Sequence, residues 1–211
     1  MIYEMRTYTL NPGKLPAYLE LAKTVGRPIR GQDYGTNHGY WTSEFGPLNQ
    51  IWHLWSYASL DERQRLRGEL AKNARWKNEY VAHIGPMIAR QDLRLLNPVN
   101  GVNSPAKEGG FYELRMYRMN LGRATGFAAA YRDILPVREK YSRNIGLWTG
   151  EVPQPNEFWH MWNYQSMAER AKARGDLFKD PDWLAFLAGQ AGAIVEMNNV
   201  MLLPTDYSGL K

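Results

Sequence analysis

The chain has 211 residues, a net charge of +5, 44% hydrophobic and 22% charged residues, and no cysteine. That length carries one large or two small domains with a real core, and the missing cysteine excludes disulfides, thiol nucleophiles and Cys-ligated zinc or iron–sulfur sites. No stretch approaches the ~18 uninterrupted apolar residues of a spanning helix, and the first residues show neither a basic n-region nor an apolar h-region, so no membrane span and a cytoplasmic location are expected.

Residues 2–10 alternate as a β-strand, and the turn residues Asn11-Pro12-Gly13 follow. Leu15, Tyr18, Leu19, Ala22 and Val25 then recur at helical spacing, with Pro28 placed to kink or end the helix. Two strands are expected at 37–44 and 50–57 around the turn Gly46-Pro47-Leu48-Asn49. A helix starts near Ser59, a residue able to cap an N-terminus, and a strand at 87–96 closes the unit. Residues 101–110 lie in a Pro-, Gly-, Asn- and Ser-rich stretch and read as a linker. The same succession then returns: strand 111–119, helix 124–143 with Pro136 inside it, strands 144–151 and 157–164, a helix from Ser166 and a strand at 194–203.

The recurrence is visible residue by residue. Tyr3-Glu4-Met5-Arg6-Thr7-Tyr8 falls on Tyr112-Glu113-Leu114-Arg115-Met116-Tyr117, and Trp52-His53-Leu54-Trp55-Ser56-Tyr57 on Trp159-His160-Met161-Trp162-Asn163-Tyr164. Gly39-Tyr40-Trp41-Thr42 matches Gly146-Leu147-Trp148-Thr149, Trp76 matches Trp183, and Leu95-Leu96 is placed on Leu202-Leu203. The matches keep their order over a whole half, so residues 1–100 and 111–206 read as two copies of one βαββαβ unit. The fold class is therefore α+β: two tandem ferredoxin-like units with antiparallel sheets, packed as an α/β barrel.

Strand alternation sorts the side chains into faces. Trp52 and Leu54 share an apolar face that suits helices, whereas Ile51, His53, Trp55 and Tyr57 share a mixed face that suits a semi-polar space between the two sheets. Glu4, Arg6 and Tyr8 lie on one face of the first strand, as do Glu113, Arg115 and Tyr117 in the second copy. If those faces meet, each half contributes one set of site residues. His53, His160, Arg6 and Arg115 are the candidates for chemistry. Glu4, Tyr8, Trp55, Tyr57, Glu113, Tyr117, Trp162, Tyr164 and His38 are the candidates for holding a small-molecule ligand. Arginine grips an anion, and histidine moves a proton near neutral pH. The structural reading of the same residues is a buried Glu–Arg pair with a hydrogen-bonded core histidine. The copies differ where His38 and Tyr40 become Ile145 and Leu147 and His83 becomes Gln190, so a first-half site is the more polar one.

Other chemistries find less support. The four histidines lack metal-ligand spacing, so no metal is expected, and no cofactor is called for. The densest cationic group, Arg63, Arg65, Arg67, Lys72, Arg75 and Lys77, reads as a solvated helix face, and no nucleic-acid partner is expected.

The opening Tyr-Glu-Met/Leu-Arg-x-Tyr, the Trp-His-x-Trp-x-Tyr and the two-copy layout resemble the NIPSNAP family, within the dimeric α/β-barrel group of ferredoxin-like folds. The resemblance implies a barrel of two units within one chain. It supplies no agreed reaction, since the wider group includes cofactor-free monooxygenases, haem-binding enzymes and lactone isomerases. The expected function is binding of a small organic ligand between the two sheets, with cofactor-independent monooxygenase or isomerase chemistry as the sharper form. The alternative is a non-catalytic binding or scaffold protein whose barrel is filled by side chains. Homo-oligomers are expected, because ferredoxin-like sheets leave edge strands.

Overall fold

The computed structural model describes residues 1–211. The first repeat runs β1 (Ile2–Leu10), α1 (Leu15–Leu21), a π-helical turn (Ala22–Gly26), α2 (Arg27–Arg30), β2 (Thr36–Phe45), β3 (Gln50–Tyr57) and α3 (Leu60–Lys72). A second π-helical turn (Trp76–Val81), α4 (Ala82–Ile84), a 3-10 turn (Gly85–Met87) and β4 (Ile88–Pro98) complete it. The second repeat comprises β5 (Phe111–Met119), α5 (Ala124–Glu139), β6 (Arg143–Val152), β7 (Glu157–Tyr164), α6 (Met167–Leu177), α7 (Pro181–Gly189) and β8 (Ile194–Pro204). The βαββαβ order expected from sequence is present twice. The first helix widens to π geometry just ahead of Pro28, whose missing N–H removes the α-helical bond to Thr24. Pro136, by contrast, sits within a continuous α5.

The helices that follow the hairpins start as their residues predict. Ser59 Oγ accepts from the Glu62 N–H at 3.0 Å, and Glu62 reaches back to the Ala58 N–H at 2.5 Å. Ser166 and Glu169 repeat the arrangement. Ser166→Ala is expected to cost about 1 kcal/mol, read as a lower urea midpoint with an unchanged denaturant slope.

All eight strands close into one antiparallel barrel, in the order β1-β3-β2-β8-β5-β7-β6-β4. The last strand of each repeat pairs with the second strand of the other, as in Trp41 opposite Pro204 and Leu96 opposite Gly150. The linker and the C-terminal tail finish the same two seams. Val99 and Asn103 N–H groups bond to Leu147 and Ile145 carbonyls, and Thr205 N–H bonds to the Tyr40 carbonyl. No helix is long and apolar enough to cross a membrane.

The barrel interior is filled with side chains from both repeats: Tyr3, Met5, Trp41, Trp52, Leu54 and Leu96 meet Tyr112, Leu114, Trp148, Trp159, Met161 and Leu202. Here the structure corrects two expectations. The face bearing Trp52 and Leu54 turns into the barrel, and the face bearing Glu4, Arg6, His53 and Trp55 turns outward beneath the helices. An eight-stranded barrel is narrow enough for side chains to fill, and here the large aromatics of both repeats fill it. A face with ionised groups needs charged partners, and the helices add Arg63 and Arg170 to the pairs made on the strands themselves. The second correction concerns register. Tyr3 opposes Leu96 and Tyr112 opposes Leu202, so Leu96 corresponds to Leu202, one residue away from the sequence match to Leu203. A one-residue shift exchanges the two faces of a strand.

Candidate functional site

The outward face of each half presents one row across neighbouring strands. In the first repeat, Arg6 of β1 stands opposite His53 of β3, which stands opposite Tyr40 of β2. In the second, Arg115, His160 and Leu147 form the equivalent row. Tyr40 stacks on the His53 ring at 5.0 Å, and Tyr8 meets it edge-on at 4.9 Å.

The Trp-His-x-Trp motif fixes the state of the histidine. Trp55 Nε1–H donates to His53 Nδ1 at 2.7 Å, and Trp162 Nε1–H donates to His160 Nδ1 at 2.7 Å. An indole nitrogen can only donate, so Nδ1 is an acceptor and the hydrogen of the neutral ring sits on Nε2. Both Nε2 atoms are buried and have no hydrogen-bond partner. Burial first, and the nearby arginines second, hold both imidazoles well below their ordinary pKa. Each histidine is thus a neutral, oriented N–H donor at physiological pH. The proton-moving role expected from sequence does not match this tautomer, because Nε2 carries no free lone pair.

Trp55 and Trp162 are held in turn. The Arg30 guanidinium lies over the Trp55 ring at 3.3 Å and donates to Tyr57 Oη at 3.1 Å. Arg138 lies over Trp162 at 4.0 Å and donates to Tyr164 Oη at 3.1 Å. These contacts occupy Trp55, Tyr57, Trp162 and Tyr164 in fixing the histidines.

The carboxylates are enclosed by cations. Glu4 accepts from Arg6 Nη1 at 2.9 Å and from Arg63 Nε, and lies 3.7 Å from Arg67. Burial raises its pKa, but Arg6, Arg63 and Arg67 together outweigh that and hold it down. Arg6 also donates from Nε to Tyr8 Oη at 3.0 Å, and Arg115 repeats both bonds to Glu113 and Tyr117. The buried ion pair of the structural reading is present in both halves. Arg63 and Arg67 belong to the helix expected to be merely solvated, and both turn inward. Arg65 and Arg75 do stay outside, in i,i+4 pairs with Glu69 and Glu79.

Between the sheet and the helices lie two cavities. The first, about 230 Å³, is lined by Arg6, Tyr8 and His53 together with Tyr18, Arg30, Tyr40, Arg67, Trp76 and Tyr80. The second, about 150 Å³, is lined by Arg115, Tyr117 and His160 together with Phe127, Tyr131, Arg138, Arg174, Trp183 and Phe186. Of the residues singled out from sequence, those six line cavities. Glu4, Trp55, Tyr57, Glu113, Trp162 and Tyr164 stand behind the cavity walls. His38 lies apart, its Nε2 2.8 Å from Ser56 Oγ and its ring 5.4 Å from Tyr3, with burial holding its pKa down at about 4. The space expected between the two sheets is occupied by the packed core, so the cavities lie on the other side of the strands. A wider concavity of about 580 Å³ opens at one end of the barrel over Trp52 and Trp159. Its charges are already paired, as Arg90 with Asp92, Arg94 with Glu157 and Arg118 with Glu196.

Sequence reading missed the helix-borne part of each site. The Arg67 guanidinium makes no hydrogen bond and lies 3.7 Å from Glu4, and the Arg174 guanidinium makes neither a hydrogen bond nor an ion pair. Burial, then the neighbouring Arg6 and Arg115, push both guanidinium pKa values down, and the pull of Glu4 and Glu113 does not offset them. The match of Arg67 to Arg174 at the repeat spacing was the available signal.

The NIPSNAP family profile matches residues 3–101 and 112–209, one copy on each repeat. The chain belongs to the NIPSNAP family. Protein NipSnap homolog 3A from Pongo abelii is 29% identical, the match covering 100% of this chain and 86% of the relative. Protein NipSnap homolog from Dictyostelium discoideum is 25% identical over 96% of this chain and 87% of its own length. The NIPSNAP duplication therefore spans essentially the whole chain. The fold itself is shared more widely. A provisionally assigned monooxygenase from Lactobacillus acidophilus superposes with a TM-score of 0.71 at 13% identity, covering 99% of this chain and 95% of the other.

Proposed function

We propose that this NIPSNAP protein binds a small organic molecule through a negatively charged or enolic oxygen, in the cavities beneath its helices. The observation that carries the reading is the pair that lines the cavity in each half, a buried Nε2–H without an acceptor and a guanidinium that makes no hydrogen bond: His53 with Arg67, which shares Glu4 with two other arginines and lies 3.7 Å from it, and His160 with Arg174, which has no ion pair. An unsatisfied buried donor costs about 1–3 kcal/mol, which an oxyanion would recover. Aromatic walls suit a flat ligand.

The sharper form is cofactor-independent oxygenation. A neutral N–H donor and an arginine stabilise an enolate. Such an enolate can give electrons to dioxygen, one oxygen atom entering the substrate methylene as a carbonyl while the other leaves as water with its two hydrogens. Similarity of fold to a monooxygenase-type structure supports this form only by analogy. The filled barrel interior favours the scaffold reading, under which the cavity residues serve packing alone.

The test is titration with 1-hydroxy-2-naphthoate, followed by quenching of tryptophan fluorescence. His53→Phe and Arg67→Gln are each expected to weaken first-cavity binding by about tenfold or more. Affinity should show no inflection near pH 6.5, because the imidazoles stay neutral on both sides of it. Unaltered binding in the double variant His53→Phe/His160→Phe would sink the reading. Oxygen uptake with an enolisable substrate and no added metal tests the sharper form.

A further inference from the structure

The two cavities share a floor but not their walls. In the first, the hydroxyls of Tyr18, Tyr40 and Tyr80 join that of Tyr8. At the corresponding places of the second repeat stand Phe127, Leu147 and Leu187, of which Phe127 and Leu187 line the cavity, where Tyr131 adds one hydroxyl to that of Tyr117. The β-ladders extend the contrast, since Gln91 stands opposite Tyr8 whereas Met197 stands opposite Tyr117. Ala71 at the first cavity corresponds to Phe178 at the second.

The second cavity also opens through an apolar rim. Phe178, Leu187 and Met197 line it, yet they are 50%, 36% and 54% exposed. Large apolar side chains held in water around the mouth of a cavity favour a ligand that continues outward as hydrocarbon. At the inner end stand His160, 2% exposed with Nε2 unpartnered, and the unpaired Arg174.

We infer that the second-repeat cavity takes an amphiphilic carboxylate, its acid group at His160 Nε2–H and the Arg174 guanidinium and its hydrocarbon leaving past Phe178, Leu187 and Met197. This rests on the oxyanion reading of the His–Arg pairs and adds the ligand class of the second site. The first cavity, ringed by phenols and Gln91, selects against the same tail because a hydrocarbon there leaves polar groups without partners.

Octanoate and its methyl ester are the probes, with 1-hydroxy-2-naphthoate as the reporter of the first site. Octanoate is expected to bind the wild-type protein and Arg67→Gln alike. It should weaken about tenfold or more in Arg174→Gln and several-fold in Leu187→Gln/Met197→Gln, with the methyl ester weaker than the acid by about tenfold. The last two comparisons need no change at Arg174, so they decide the matter even if that variant folds poorly. Octanoate that does not bind, that follows Arg67 instead of Arg174, or that ignores the Leu187/Met197 change overturns the inference. Naphthoate binding that still depends on His53 and Arg67 would then show that the oxyanion reading survives. Loss of His and Arg dependence for both probes would mean that the reading itself has failed.

Discussion

Glu113→Ala is expected to destabilise the protein by about 3–5 kcal/mol, because it removes the shared partner of a buried charge cluster. The Glu113 carboxylate accepts from Arg115 at 2.8 Å, from Arg170 at 2.6 Å and from Asn199 at 2.9 Å. Its side chain is 2% exposed, so water does not replace it once it is gone. Arg115 would be left mostly buried with Tyr117 as its remaining acceptor. The same cluster sets an acid sensitivity. Burial pushes the Glu113 pKa up, but Arg170, Arg115 and Asn199 more than offset it and bring the carboxyl down to about 2. A folded pKa below the unfolded one contributes stability that is present above the ordinary carboxylate range. It is lost as pH falls from about 4.5 toward 2. Glu113→Gln keeps a hydrogen-bond acceptor and loses the charge, so its urea midpoint should fall at pH 7 and change less than that of the wild type between pH 5 and pH 3. Equal midpoints for wild type and Glu113→Ala at pH 7 would show that the cluster is hydrated rather than buried. Glu4, enclosed by Arg6, Arg63 and Arg67, is expected to behave in the same direction.

Trp148→Ala is expected to cost a similar amount, about 3–5 kcal/mol, through the cavity it leaves. Trp148 is fully buried in the barrel interior. Its indole folds back over Gly146, where a Cβ would overlap the ring, and its edge meets Tyr3 of the other repeat at 5.9 Å. Trp41 over Gly39 repeats the arrangement in the first half. Neighbouring side chains on a closed barrel cannot collapse into so large a void without shifting strands of both repeats. The melting temperature should drop by on the order of 10 °C, in a single transition. Leu121→Ala, at a position 89% exposed, is the control and should stay within about 0.5 kcal/mol of wild type. If Trp148→Ala melts with the control, the interior is not the load that holds the two repeats together.

Much of the candidate site was legible in the amino-acid order. The Trp-His-x-Trp spacing placed His53 and Trp55 on one strand face, and the copies placed His160 and Trp162 likewise. Alternation also put Glu4, Arg6 and Tyr8 together, and all three meet as expected. The repeat spacing marked Arg67 and Arg174 as a pair of matching positions, but not that they turn inward. A helix pattern shows which residues share a side, but an arginine on the border of that side reaches inward along its aliphatic stem only when a buried charge draws it. Here Glu4 draws Arg63 and Arg67.

By itself the amino-acid order determined the duplication, the βαββαβ succession in each half, the capped helix starts and the membership of each strand face. It did not determine which face is inside. Neither face of β3 or β7 reads as solvent-facing, and assigning the purely apolar face to the helices on hydrophobicity put the two faces the wrong way round. Closure of eight strands into one barrel decided it: the apolar side chains of both repeats fill the narrow interior, and the ionic face was left to the helices, whose Arg63 and Arg170 add to its counter-charges.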